Sequence, residues 1–116
     1  MMANSVKKVK YPKWLEVTPC RLTLEAKGVT EDGEPITAMT VSTKCIYSEH
    51  AKREIDKDGS TVNLVGTIYK QGDIAPELTE IAGGTAEVNG GSYEIFAASR
   101  LRNPDGTVHH TELKLK

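Results

Sequence analysis

The sequence is short of aromatic residues, cysteine, histidine and long apolar runs, and each shortage removes a class of protein. Its 116 residues include one tryptophan, one phenylalanine and four tyrosines. So small an aromatic stock limits the core that one sheet can build, and burial against neighbouring chains is a natural complement. The two cysteines, Cys20 and Cys45, sit inside strand-like runs rather than at a ligand spacing. They read as buried thiols in a reducing compartment. No run of about 18 apolar residues is present, so no membrane-spanning helix is expected. The early lysines are not followed by an apolar stretch, which argues against a secretory signal.

The three histidines are His50, His109 and His110. Neighbours on a regular strand point to opposite faces, so His109 and His110 are expected to diverge and not to share a metal. His110 should then be solvated, with His109 at the edge of the core or at a subunit interface. Asp56-x-Asp58-Gly59 resembles the start of a calcium loop, but its glycine comes too early and no glutamate closes twelve residues. Glu54, Asp56 and Asp58 are better read as decoration on a hairpin tip. No serine or cysteine stands with a base and an orienting acid, and no carboxylate pair has an acid–base setting. Gly83-Gly84 and Gly90-Gly91 precede no helix long enough to cradle a phosphate. The expectation is a non-enzyme without catalytic residues, cofactor or metal.

Charge is nearly balanced, with 15 basic and 16 acidic residues, but it is unevenly placed. Lys7, Lys8, Lys10 and Lys13 are the only charged residues before Glu16. Setting those four aside leaves 11 basic against 16 acidic residues, a body charge of −5. Residues 1–14 therefore read either as a basic arm reaching an acidic neighbour, protein or DNA backbone, or as a solvated leader. Trp14 and Leu15 would anchor such an arm onto something apolar, either the barrel or a neighbour. Residues 15–116 would be a single domain. That body has neither the basic stripe nor the interleaved aromatics of a nucleic-acid surface.

What the chain has in quantity is alternation. Cys20, Leu22, Leu24 and Ala26 share one face of a predicted strand. Met39, Val41, Cys45 and Tyr47 share one face of a second. Residues 61–69 form a third, with Val62, Leu64 and Ile68 facing one way. Asn89-Gly90-Gly91 and Pro104-Asp105-Gly106 separate the last three predicted strands, at about 85–89, 92–100 and 107–115. His109, Thr111, Leu113 and Leu115 share a face of the last. Residues 48–57 fit a helical face or a polar strand; an extended hairpin turning at Lys57-Asp58-Gly59 is favoured. Residues 76–83 fit one helical turn or a loop. About six antiparallel strands with little helix predict an all-β barrel or sandwich with an extended hairpin or loop. Leu22, Leu24, Val41, Val62, Leu64, Ile68, Ile95, Leu113 and Leu115 should point inward.

Four pieces occur in a set order. Lys57-Asp58-Gly59 precedes Leu64-Val65-Gly66-Thr67-Ile68-Tyr69-Lys70-Gln71-Gly72-Asp73-Ile74. Val88-Asn89-Gly90-Gly91-Ser92-Tyr93-Glu94-Ile95 follows, and then His109-His110-Thr111-Glu112-Leu113-Lys114-Leu115. In that order, over about residues 20–115, the chain resembles siphophage and prophage minor capsid proteins of the head–tail connector class, also called stopper or head-completion proteins. The resemblance implies a non-catalytic ring oligomer in the virion neck, made in the bacterial cytoplasm. Its partners would be copies of itself, the portal or adaptor protein, and a tail terminator or tube protein. It also suggests non-specific contact with packaged DNA. The alternatives are a tail terminator or tail-tube-like ring protein, a small nucleic-acid-binding barrel, or a small hydrolase. The candidate interface residues are Lys7, Lys8, Lys10, Lys13 and Trp14 of the arm, with Arg53, Asp56 and Asp58 of the hairpin.

Overall fold

The alternation is realised as six antiparallel strands. They are β1 (Thr18–Val29), β2 (Pro35–Ile55), β3 (Thr61–Gln71), β4 (Ile81–Val88), β5 (Gly91–Arg102) and β6 (Val108–Leu115). In this computed structural model, which describes residues 10–29 and 31–116, they close into a barrel in the order β1-β2-β3-β6-β5-β4, with β4 returning to β1. Closure gives every strand two partners, which leaves fewer of the open sheet edges that would otherwise template aggregation. Among the described residues the only helix is a single 3-10 turn, Lys13–Leu15.

Strand β2 is 21 residues long because it serves two partners in succession. Residues 35–45 pair with β1, and residues 46–55 pair with β3. Strand β3 reaches β6 only from Gly66 onward, where Gly66 faces Leu115. Residues 50–55 and 61–65 therefore leave the barrel as a two-stranded ribbon. A register shift between Glu49 and Lys52 marks its root. The molecule is 57 Å long and 31 Å across. The hairpin reading of residues 48–60 is thus the right one, and the helical reading is excluded.

Seven of the nine residues expected inside are buried: Leu22, Leu24, Leu64, Ile68, Ile95, Leu113 and Leu115. Val41 is half-buried against the core. Val62 is a correction: it is only half-buried, because it lies on the ribbon, outside the barrel wall. Leu64 is buried yet stands apart from the main cluster for the same reason. Cys20, Cys45, Ile74, Ala75, Ile81, Ala86 and Val88 complete that cluster. Strand β4 fits tightly against β1. Gly84 sits opposite Leu24 with φ 140°, and a Cβ there would run into the Thr23 carbonyl oxygen, so only glycine serves.

The helical turn considered for residues 76–83 does not form, and β4 begins at Ile81. One guanidinium organises this loop instead. Arg100 donates to the Asp73 carboxylate at 3.0 Å and to the carbonyls of Ala75, Leu78 and Thr79 at 2.7–3.0 Å. The fork geometry of arginine suits such a cluster of acceptors, and it satisfies carbonyls that a helix would otherwise have to pair.

Candidate interaction surface

Glu16 fixes the chain just before β1. Its carboxylate is buried, accepts the Gln71 N–H at 2.7 Å and receives the Lys70 ammonium at 3.0 Å. Burial alone would raise the Glu16 pKa. The hydrogen bonds from Gln71 and Lys70 outweigh that effect and hold it below the usual carboxylate value. Lys70 also donates to the Lys44 carbonyl, so one ion pair ties the chain just before β1 to the middle of β2 and the end of β3. Upstream, the 3-10 turn after Pro12 is closed by Leu15 and Glu16 N–H groups donating to Pro12 and Lys13 carbonyls.

With Glu16 pulled inward, its neighbours are turned out. Trp14 is 77% exposed, Val17 67% and Leu15 41%. Three large apolar residues within four positions form a patch of the kind that marks contact sites, whereas scattered ones are unremarkable. Lys10 and Lys13 are exposed beside it. Trp14, Lys10 and Lys13 are all exposed, while Lys7 and Lys8 lie outside the described residues. Leu15, read with Trp14 as an anchor, is exposed as well, and Val17 was missed. The available signal was its apolar character just outside any alternating run.

The hairpin candidates divide. Arg53 and Asp58 are exposed, but the Asp56 carboxylate is occupied. It accepts the backbone N–H groups of Asp58 and Ser60, each at 2.9 Å, and so builds the turn. Glu54 is no free tip charge either: Lys114 of β6 reaches it at 2.8 Å. The exposed apolar residue of the ribbon is Ile55, at 74%.

The two histidines meet, contrary to the expectation that they diverge. Between β5 and β6, Arg102 faces Val108 while Leu101 faces His110, leaving His109 as an extra residue. This bulge turns both rings to one side. Their Nδ1 atoms are 2.7 Å apart. Tyr11 packs on both rings, at 5.6 and 5.9 Å between centroids, and Tyr69 stands 6.0 Å from His110. The Tyr11 hydroxyl is enclosed without a well-formed hydrogen bond among the described residues. Burial, and then the nearby Glu16 carboxylate, push its pKa upward.

Cys20 and Cys45 are free, buried and diagonal across β1 and β2. The hydrogen bond to Cys20, together with burial, raises the Cys45 pKa. A thiol held protonated in this way is a poor nucleophile. No group of three His, Cys, Asp or Glu side chains able to hold a metal occurs among the described residues, and none of their helices is long and apolar enough to cross a membrane. No protein-family model matches the chain, and no curated protein matches it.

Proposed function

We propose that this chain is a structural, non-catalytic subunit of the head–tail connector class, stopper-like, assembling as a ring in the neck of a siphophage or prophage virion. It sits between the portal or adaptor and the tail. The observation that carries the reading is a closed barrel bearing a projecting ribbon. A sealed barrel offers side-chain surfaces for lateral packing, and the ribbon of residues 50–65 extends beyond the barrel wall toward a neighbour or the channel. The exposed Trp14, Leu15 and Val17 beside Lys10 and Lys13 supply a second contact, suited to an apolar pocket with an acidic rim. The order of sequence motifs adds to this. The tail-tube alternative has less support, since a helix of ten or more residues would favour it and the described helix has three residues.

The test uses portal-containing, tail-less capsids and the full chain, with electron microscopy of the neck vertex. Added protein should appear as a ring below the portal and restore tail joining. Deleting residues 1–14 should leave the fold intact, since Glu16 and every strand remain, and should weaken attachment most at low salt, where the arm's charges are least screened. Failure of the full chain to bind capsids at low salt overturns the connector reading. Equal binding with and without the arm at all salt concentrations moves the contact to the ribbon.

A further inference from the structure

The contacts around the histidine bulge form an unbroken line. His109 Nε2 lies 3.1 Å from the Lys10 carbonyl, the two Nδ1 atoms are 2.7 Å apart, and His110 Nε2 lies 3.3 Å from Glu112 Oε2. Both ends of the line are acceptors: a carbonyl can only accept, and so can an ionised carboxylate. Each Nε2 must therefore carry hydrogen. The central contact needs one Nδ1 with hydrogen and one without. The two rings together must hold three N–H hydrogens to make all three bonds. Two neutral imidazoles hold two, and two imidazolium rings hold four.

We propose that His109 and His110 are a proton-counted latch that seats Lys10 and Tyr11 on the barrel. The latch is tight with three ring hydrogens and looser with either two or four. With two, one of the three contacts faces acceptor to acceptor. With four, two N–H groups oppose one another across the central 2.7 Å gap. The third hydrogen makes the pair singly positive, and the Glu112 carboxylate next to His110 balances that charge.

The other groups facing the pair do not supply an alternative count. From the N-terminal segment come the Tyr11 ring and the Lys10 carbonyl. From β3 come Tyr69 and the backbone of Gln71, which is paired with His110. On β5, the Arg102 guanidinium turns away to the Gly106 carbonyl, and Arg100 is committed to Asp73 and its loop. Behind Tyr11, Glu16 and Lys70 are paired with each other. The latch controls how the Trp14 patch is presented, but it is an internal contact and does not rest on the connector reading.

The test is a pH series on the intact chain between about pH 8 and 5, the range in which histidines ordinarily change charge. Nitrogen-15 spectra of the imidazoles count ring hydrogens, and amide protection at Lys13 and Leu15 reports the seat. Their N–H groups donate to the Tyr11 and Pro12 carbonyls. Protection should rise about five- to tenfold as the third hydrogen is taken up, the worth of about one hydrogen bond, and fall again as the fourth arrives. In Glu112→Gln the amide can donate to His110 Nε2, so two hydrogens suffice and the rise should disappear. Protection that stays flat in the unaltered chain while the spectra show the rings gaining protons overturns the latch. So does a rise that persists unchanged in Glu112→Gln.

Discussion

Strand β3 passes through two environments within its eleven residues. From Gly66 to Tyr69 it lies between β2 and β6, with Gly66, Thr67 and Ile68 buried in succession. From Thr61 to Val65 it pairs with β2 alone, and among these only Leu64 is buried. The sequence barely changes character across that border. What changes is the number of neighbouring strands, so burial here is set by topology more than by residue type. The ribbon's open edges carry Lys52 and Arg53, charges of the kind that discourage accidental strand pairing.

Two glycines with positive φ make the sharpest contrast between these regions. Gly84 in the barrel would place a Cβ against the Thr23 carbonyl, while a Cβ on Gly59 at the ribbon tip meets nothing within 4 Å. Gly84→Ala should cost about 3 kcal/mol, because strain and collision add in a place that cannot yield. Gly59→Ala should cost about 1 kcal/mol, from backbone strain alone. Urea midpoints of both variants measure this. Equal losses would mean that the ribbon is as constrained as the barrel.

Next in size is the Glu16–Lys70 pair. Lys70→Met leaves a buried carboxylate with the Gln71 N–H and without its cation, at a cost of about 2 kcal/mol at neutral pH. The pH dependence has a definite sign. The Glu16 pKa is held low in the folded chain, so below about 4.3, the ordinary glutamate value, the unfolded chain takes up a proton that the folded one resists. The contribution is therefore full above that value and is lost as pH falls through the lower folded pKa. Denaturation midpoints of the unaltered chain and Glu16→Gln should differ at pH 7 and converge toward pH 3. A constant gap would show that Glu16 acts through packing and not through charge.

These two sites also show what could be read from the chain. Alternation placed Cys20, Leu22 and Leu24 on one face, and Thr111, Leu113 and Leu115 on another, because a period of two is a local property. The Asn89 turn, with φ 52°, was legible for the same reason. Glu16, Arg100 and the His109 bulge were not. Glu16 meets partners 54 and 55 positions away, and Arg100 meets carbonyls more than 20 away. The bulge depends on the register between β5 and β6, which no single strand specifies. The arm candidates Trp14 and Lys13 were visible as composition. The inward pull of Glu16, which exposes Leu15 and Val17, was not.

The smallest expected effect tests whether ribbon and barrel are one cooperative unit. Lys114, next to last on β6, holds Glu54 of the ribbon at 2.8 Å, and that hydrogen bond lowers the Glu54 pKa. Both side chains keep contact with water, so the tie is screened and weak. Lys114→Met should leave the global urea midpoint unchanged and raise amide exchange in residues 52–64 about two- to threefold at low salt, an effect that vanishes at high salt. The reason lies in the pairing: residues 52–55 and 61–64 hold only each other, so their opening leaves the barrel ladders intact. A drop in the global midpoint comparable to that of Gly84→Ala would mean that the ribbon unfolds with the barrel. The distinction between a sealed body and a separable projection would then fail.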